Sequence, residues 1–187
     1  VDSAEFPDLI AANPHWFASQ ADLGLILPSE EVLRLTVDVP GRTANSMKQA
    51  LPFALEEYLT SDIETVHVAH GRVRPGSGVN CAIIDQQRLE RYLQLFTQSN
   101  IAIGWVVSQA QLLQQGDADV AVLLDASEQE QVLVVAKNQD ATVDRNMLAG
   151  VLNSLAPATV ECVGGQLDDL EIGQLETTPN LMVVETP

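Results

Sequence analysis

The chain predicts an α/β fold, and three observations carry the prediction. Leu33, Leu35, Val37 and Val39 alternate with Arg34, Thr36 and Asp38, the two-residue period of a half-buried strand. Just beyond them Met47, Ala50, Leu51, Ala54, Leu55, Tyr58 and Leu59 recur at i, i+3, i+4, i+7, i+8, i+11 and i+12, one stripe of a 3.6-residue helix. The chain keeps switching between these periods. The result reads β-α-β-β-α-β over 32–107 and strand meander, helix, strand over 119–163, the beginning of a ribonuclease-H-like unit.

The elements follow in order. Residues 1–20 read as a weak helix around Phe6, Leu9 and Ile10, interrupted between Pro14 and Trp16. The apolar run 23–28, closed by Pro28, suits a buried strand, and 28–31 a turn. After the alternating strand 32–39, Pro40-Gly41 marks a turn and a helix starts at Thr43. Pro52 falls inside the apolar stripe, removes the bond to the Lys48 carbonyl and is expected to kink the helix. Glu56 and Glu57 leave the stripe toward water.

A second strand is expected over 64–71, with Val66 and Val68 on one face and His67 and Ala69 on the other. The stretch 72–78 is a loop, and 79–84 a third strand. Asp85 caps a helix bearing Leu89, Tyr92, Leu93 and Phe96, and 101–107 is a fourth strand. This order suggests two helices on one face of a four-stranded sheet. Then come a short helix over 108–116, strands at 119–124, 131–136 and, weaker, 141–143, and a helix over 144–154. A strand at 159–163, a short acidic helix at 167–175 and a last short strand at 181–184 complete the series.

With 26 acidic and 9 basic residues the net charge is −17, which disfavours nucleic acid and anionic lipid as partners. A basic protein surface is favoured instead. The charge is uneven: 115–187 carry 13 acids against Lys137 and Arg145 alone. The sequence holds no run of 18 apolar residues of the kind that spans a bilayer, and no basic, apolar leader is expected. Cys81 and Cys162 lack CxxC spacing and are expected as reduced, buried thiols.

One stretch points further. A strand ending V-x-V-P-G-R, a helix reading Q-A-L-P-F-A-L-E-E-Y-L and then D-I-E-T-V-H-V-A-H-G resemble the cytoplasmic domain of the type II secretion system protein L. The resemblance covers 25–153, with 25–71 most specific. It implies an inner-membrane assembly protein whose cytoplasmic part has an actin-like ATPase fold and docks the secretion ATPase, protein E. It implies a division into 1–31, the N-terminal part of a first ribonuclease-H-like subdomain, 32–107, an inserted βαββαβ subdomain, and 108–187, a second ribonuclease-H-like subdomain. On this resemblance a transmembrane helix and a periplasmic part lie beyond Pro187, and the full protein is single-pass.

Little in the chain suggests catalysis. Actin-like ATPases grip phosphate with glycine-rich hairpins, because only glycine lets backbone amides approach the anion closely. The hairpin 123–130 has no glycine and adds Glu128 and Glu130. Asp22-Leu23-Gly24 is the only D-x-G in the N-terminal part, and no Walker A sequence occurs. Gly164-Gly165 follows a strand and precedes a helix, where such ATPases place a double glycine against adenosine; a plain turn needs glycine for the same backbone reason. His67 and His70 fall on opposite faces of a strand and cannot share one ion, and His15 is isolated. No G-x-S-x-G occurs, and the adjacent acids Asp168-Asp169 and Glu56-Glu57 point about 100° apart on a helix.

The expectation is therefore a non-catalytic scaffold without cofactor or metal, at the cytoplasmic face of the bacterial inner membrane. The alternative is a nucleotide-binding actin-like ATPase of the cell-division or pilus-assembly type; a third is a truncated enzyme with its active site elsewhere. The expected partner-binding residues are Glu56, Glu57, Asp62 and Glu64. They would meet a basic face of the N-terminal domain of the secretion ATPase. Other platform proteins, protein M among them, would be met through parts absent here, and homodimerisation stays open.

Overall fold

The computed structural model describes residues 6–13, 23–113, 117–124, 130–137, 139–167, 173, 175 and 182–186. The chain divides into two compact units, Val1–Leu27 with Glu31–Val107, and Pro28–Glu30 with Ser108–Pro187.

The first unit contains α1 (Phe6–Ala12), β1 (Gly24–Leu27), β2 (Leu33–Val37), α2 (Ala44–Glu56), β3 (Val66–His70), β4 (Val79–Asp85), α3 (Gln86–Gln98) and β5 (Trp105–Ser108), which crosses its boundary. Strand β4 is central and runs antiparallel to both β2 and β3, with Leu35 opposite Cys81 and Val68 opposite Ile83. Val37, Val79, Cys81 and Ile83 pack with Met47, Leu51 and Leu55 of α2. The next residue, Ile84, points the other way and packs with Leu27, Val32 and Leu89 of α3. The two helices thus cover opposite faces, not the one face expected from the element order.

The sheet also has three strands rather than four, because β5 pairs with β1 in a separate two-stranded sheet. Gly24 makes that pairing workable. A Cβ there would fall 2.1 Å from the Trp105 ring, so the indole needs a residue without a side chain.

Helix α2 begins where the sequence indicated. The Thr43 hydroxyl accepts from the Ser46 N–H and the Ser46 hydroxyl accepts from the Thr43 N–H, both at 3.2 Å, a capping box. The helix runs four residues past Pro52 and stops at Glu56, so Tyr58 leaves the stripe and is exposed. Leu33, at the start of edge strand β2, is exposed as well. Asp85 caps α3 by accepting from the Arg88 N–H at 2.8 Å, and Phe96 meets Phe6 edge-to-face at 4.8 Å.

The second unit holds α4 (Gln109–Leu113), β6 (Val120–Leu123), β7 (Gln131–Ala136), β8 (Gln139–Asp144), α5 (Leu148–Leu155), β9 (Thr159–Val163) and β10 (Met182–Thr186). Its sheet order is β10-β9-β6-β7-β8. The meander β6-β7-β8 is antiparallel, and β9 and β10 add in parallel, the ribonuclease-H-like arrangement. Val120, Val122, Val132 and Val134 pack on Leu148 and Leu152 of α5. Ala121, Leu133 and Val135 face Ala110 of α4. Burial on both faces explains why β6 and β7 read as unbroken apolar runs.

The helix expected over 144–154 opens as a 3-10 turn, Arg145–Met147, before α5. Most of the expected helix 167–175 and residues 125–129 of the expected hairpin lie outside the described residues.

Candidate functional site

Helix α2 has two contrasting faces. Met47, Leu51 and Leu55 are buried against the sheet. Gln49, Pro52, Phe53 and Glu56 are exposed on the other side, and Phe53 is 71% exposed. Glu57 is the C-cap, so Phe53, Glu56 and Glu57 stand at i, i+3 and i+4 on one face. No basic residue occupies the last turn, and two carboxylates sit where the helix dipole favours cations.

The connection that follows supplies the other two expected residues. Asp62 caps the 3-10 turn Ile63–Thr65 by accepting from the Glu64 N–H at 3.0 Å, and Glu64 is exposed just before β3. Glu56, Glu57, Asp62 and Glu64 are all exposed, and they fall along the chain between the last turn of α2 and the start of β3. Among the described residues none of the four forms an ion pair. Phe53 was not among the expected residues. Its signal was an aromatic residue lying off the apolar stripe of its own helix.

The other candidates have structural explanations or fall apart. Gly164 has φ +78°, and a Cβ there would meet the Leu124 carbonyl oxygen at 3.0 Å. One on Gly165 would lie 2.9 Å from Leu124 Cβ. Close approach to Leu124 is thus reason enough for both glycines. His67 and His70 are exposed on β3, and His15 lies outside the described residues, among which no group of three His, Cys, Asp or Glu could hold a metal ion. Cys81 and Cys162 are buried and not in a disulfide, as the sequence indicated, and burial pushes the Cys81 thiol up.

An open cleft of about 480 Å³ in the first unit is lined by Glu31, Arg88, Arg91, Tyr92, Gln94, Leu95 and Gln98. Glu31 accepts from Arg88 at 2.7 Å and from the Tyr92 hydroxyl at 2.9 Å, so the Arg88 charge is already matched.

The comparison with known families decides the identity. Residues 11–186 match the family described as type II secretion system (T2SS), protein L. The chain belongs to that family, and is a component of type II secretion machinery. It is 28% identical over 94 residues to the type II secretion system protein L of Dickeya chrysanthemi, a stretch covering 50% of this chain and 23% of that protein. It is 45% identical over 47 residues to that of Pseudomonas aeruginosa, covering 25% and 12%. The matched stretches thus span less than a quarter of these relatives.

Among solved structures, the chain is similar to the cytoplasmic domain of EpsL, an inner-membrane component of the type II secretion system of Vibrio cholerae. The TM-score is 0.71 at 15% identity, covering 97% of this chain and 74% of that one. The PilM-PilN type IV pilus biogenesis complex gives 0.63 at 13%, again covering 97% and 74%. At these identities the likeness is one of fold, and it agrees with the α/β, actin-like class expected for a protein L. Among the described residues no helix is long and apolar enough to cross a membrane.

Proposed function

We propose that this protein L domain is a non-catalytic scaffold that ties the cytoplasmic secretion ATPase, protein E, to the inner-membrane platform. It acts at the cytoplasmic face of that membrane and binds the N-terminal domain of the ATPase. Glu56, Glu57, Asp62 and Glu64 form the docking surface for a basic face of that domain. The observation that carries the reading is this set of four exposed carboxylates, unpaired among the described residues, in a family of the secretion machinery. Charge of one sign on an exposed surface speeds encounter with the opposite sign and rejects wrong partners.

In the same reading 1–31 begins a first ribonuclease-H-like subdomain, 32–107 is inserted, and 108–187 forms the second. Protein M is met through other parts of the protein.

A pull-down of this domain against the N-terminal domain of the cognate ATPase tests the proposal. Retention that weakens as salt is raised supports it; no retention at low salt refutes it. Calorimetry with ATP and Mg²⁺ tests the rival reading, and measurable heat of binding would favour it.

A further inference from the structure

We infer that Phe53 is the apolar anchor of a docking face on α2, and that this face takes a protein surface carrying an apolar slot rimmed by arginine or lysine. The inference rests on the docking reading above and names the chemistry of the partner at that site.

Exposure is the first argument. The opposite face of α2 already supplies Met47, Leu51 and Leu55 to the core, so Phe53 is not needed to hold the helix down. At 71% exposure it stands in water beside Pro52, whose ring is also exposed. Aromatic side chains, phenylalanine among them, are enriched at the buried centres of interfaces, where each buries much area.

The second argument is the charge around it. Glu56 and Glu57 lie one turn on, on the same face, and neither has an ion-pair partner among the described residues. An apolar side chain with two acids one turn beyond it selects its occupant. Anionic lipid and nucleic acid are repelled. A second copy meeting this face about a two-fold axis would present the same acidic patch and bring no arginine or lysine of that face to it, since such an interface is self-matching. A slot rimmed by Arg or Lys takes Phe53 and neutralises both carboxylates at once, and arginine also stacks on the ring.

The test follows backbone amide shifts of the labelled domain during titration with two probes. One is a 16-residue amphipathic helical peptide of leucine, alanine and arginine; the other is the N-terminal domain of the secretion ATPase. The expected peptide shifts centre on Gln49, Phe53, Glu56 and Glu57. Phe53→Ser should weaken peptide binding by about tenfold or more without lowering the melting temperature, and Phe53→Tyr should restore it. Peptide shifts confined to the acidic second unit, or a Phe53→Ser variant that binds like wild type, overturn the inference. So does a self-association of the free domain that Phe53→Ser abolishes, since the occupant is then a second copy.

The two readings fail separately. If the ATPase domain binds wild type and Phe53→Ser equally, the anchor is wrong and the scaffold reading stands. If the peptide behaves as expected but the ATPase domain does not bind wild type, the anchor stands and the named partner falls.

Discussion

Leu124 occupies the space that a side chain on Gly165 would need. An added Cβ would approach Leu124 Cβ to 2.9 Å, while the Leu124 N–H donates to the Val163 carbonyl at 2.9 Å and holds the two segments together. Gly165→Val should therefore lower stability by about 1–3 kcal/mol through overpacking, with or without nucleotide. Chemical denaturation checks this. A variant as stable as wild type would mean that the turn yields freely and that close packing does not explain the glycine pair.

Ala156 points the opposite way. It ends α5 in the left-handed region at φ +46°, its N–H bonded to the Leu152 carbonyl at 2.9 Å, and its side chain is exposed. Glycine adopts that conformation without the Cβ penalty, so Ala156→Gly should gain about 1 kcal/mol. A lower denaturation midpoint would contradict the assigned helix end.

Leu55 is 1% exposed among Val37, Met47, Leu51, Val79 and Ile83. Leu55→Asp buries a carboxylate with no cation beside it and should cost several kcal/mol against a total of about 5–15. Loss of the cooperative melting transition is the expected result. An unchanged melting temperature would show that the stripe is not core.

Cys81 gives a pH prediction. Burial raises its thiol above the ordinary 9.0, so the folded state holds its proton more tightly than the unfolded chain. The associated stability is fully present below the unfolded pKa and is lost as pH rises through the folded one. Melting temperatures of wild type and Cys81→Ala, compared from pH 8 upward, isolate the thiol because lysines and tyrosines titrate in both. The decline above about pH 9 should be steeper in wild type; equal slopes would contradict this.

These cases show what could be read from sequence. Thr43 as a helix start and Asp85 as a cap were legible, because capping is local chemistry. The alternation of β2 and the apolar runs of β6 and β7 were legible because burial imprints a period. The partner of β5 was not. Pairing with Gly24–Leu27 joins residues some 80 apart, and the one clue, a glycine beneath a tryptophan, has meaning only once the two meet. The exposure of Tyr58 is not legible, because its spacing continues the apolar stripe although the helix stops at Glu56.

Of the candidate site, Glu56 and Glu57 are legible as residues leaving an apolar stripe, whereas Asp62 and Glu64 lie beyond the helix. Asp62 and Glu64 belong to the short capped turn that follows α2, and Phe53 stands out by its exposure.

The most direct test of the docking account is the association rate of this domain with the N-terminal domain of the secretion ATPase, measured across salt concentrations. The variant to compare carries Glu56→Gln, Glu57→Gln, Asp62→Asn and Glu64→Gln. Asparagine keeps an acceptor for the Glu64 N–H, so the turn survives while the charge is lost. The account predicts an association rate lower by about tenfold at low salt, a flattened salt dependence and a dissociation rate close to wild type. A folded variant that associates at the wild-type rate with the wild-type salt dependence would contradict it and move docking to another surface, such as an open strand edge.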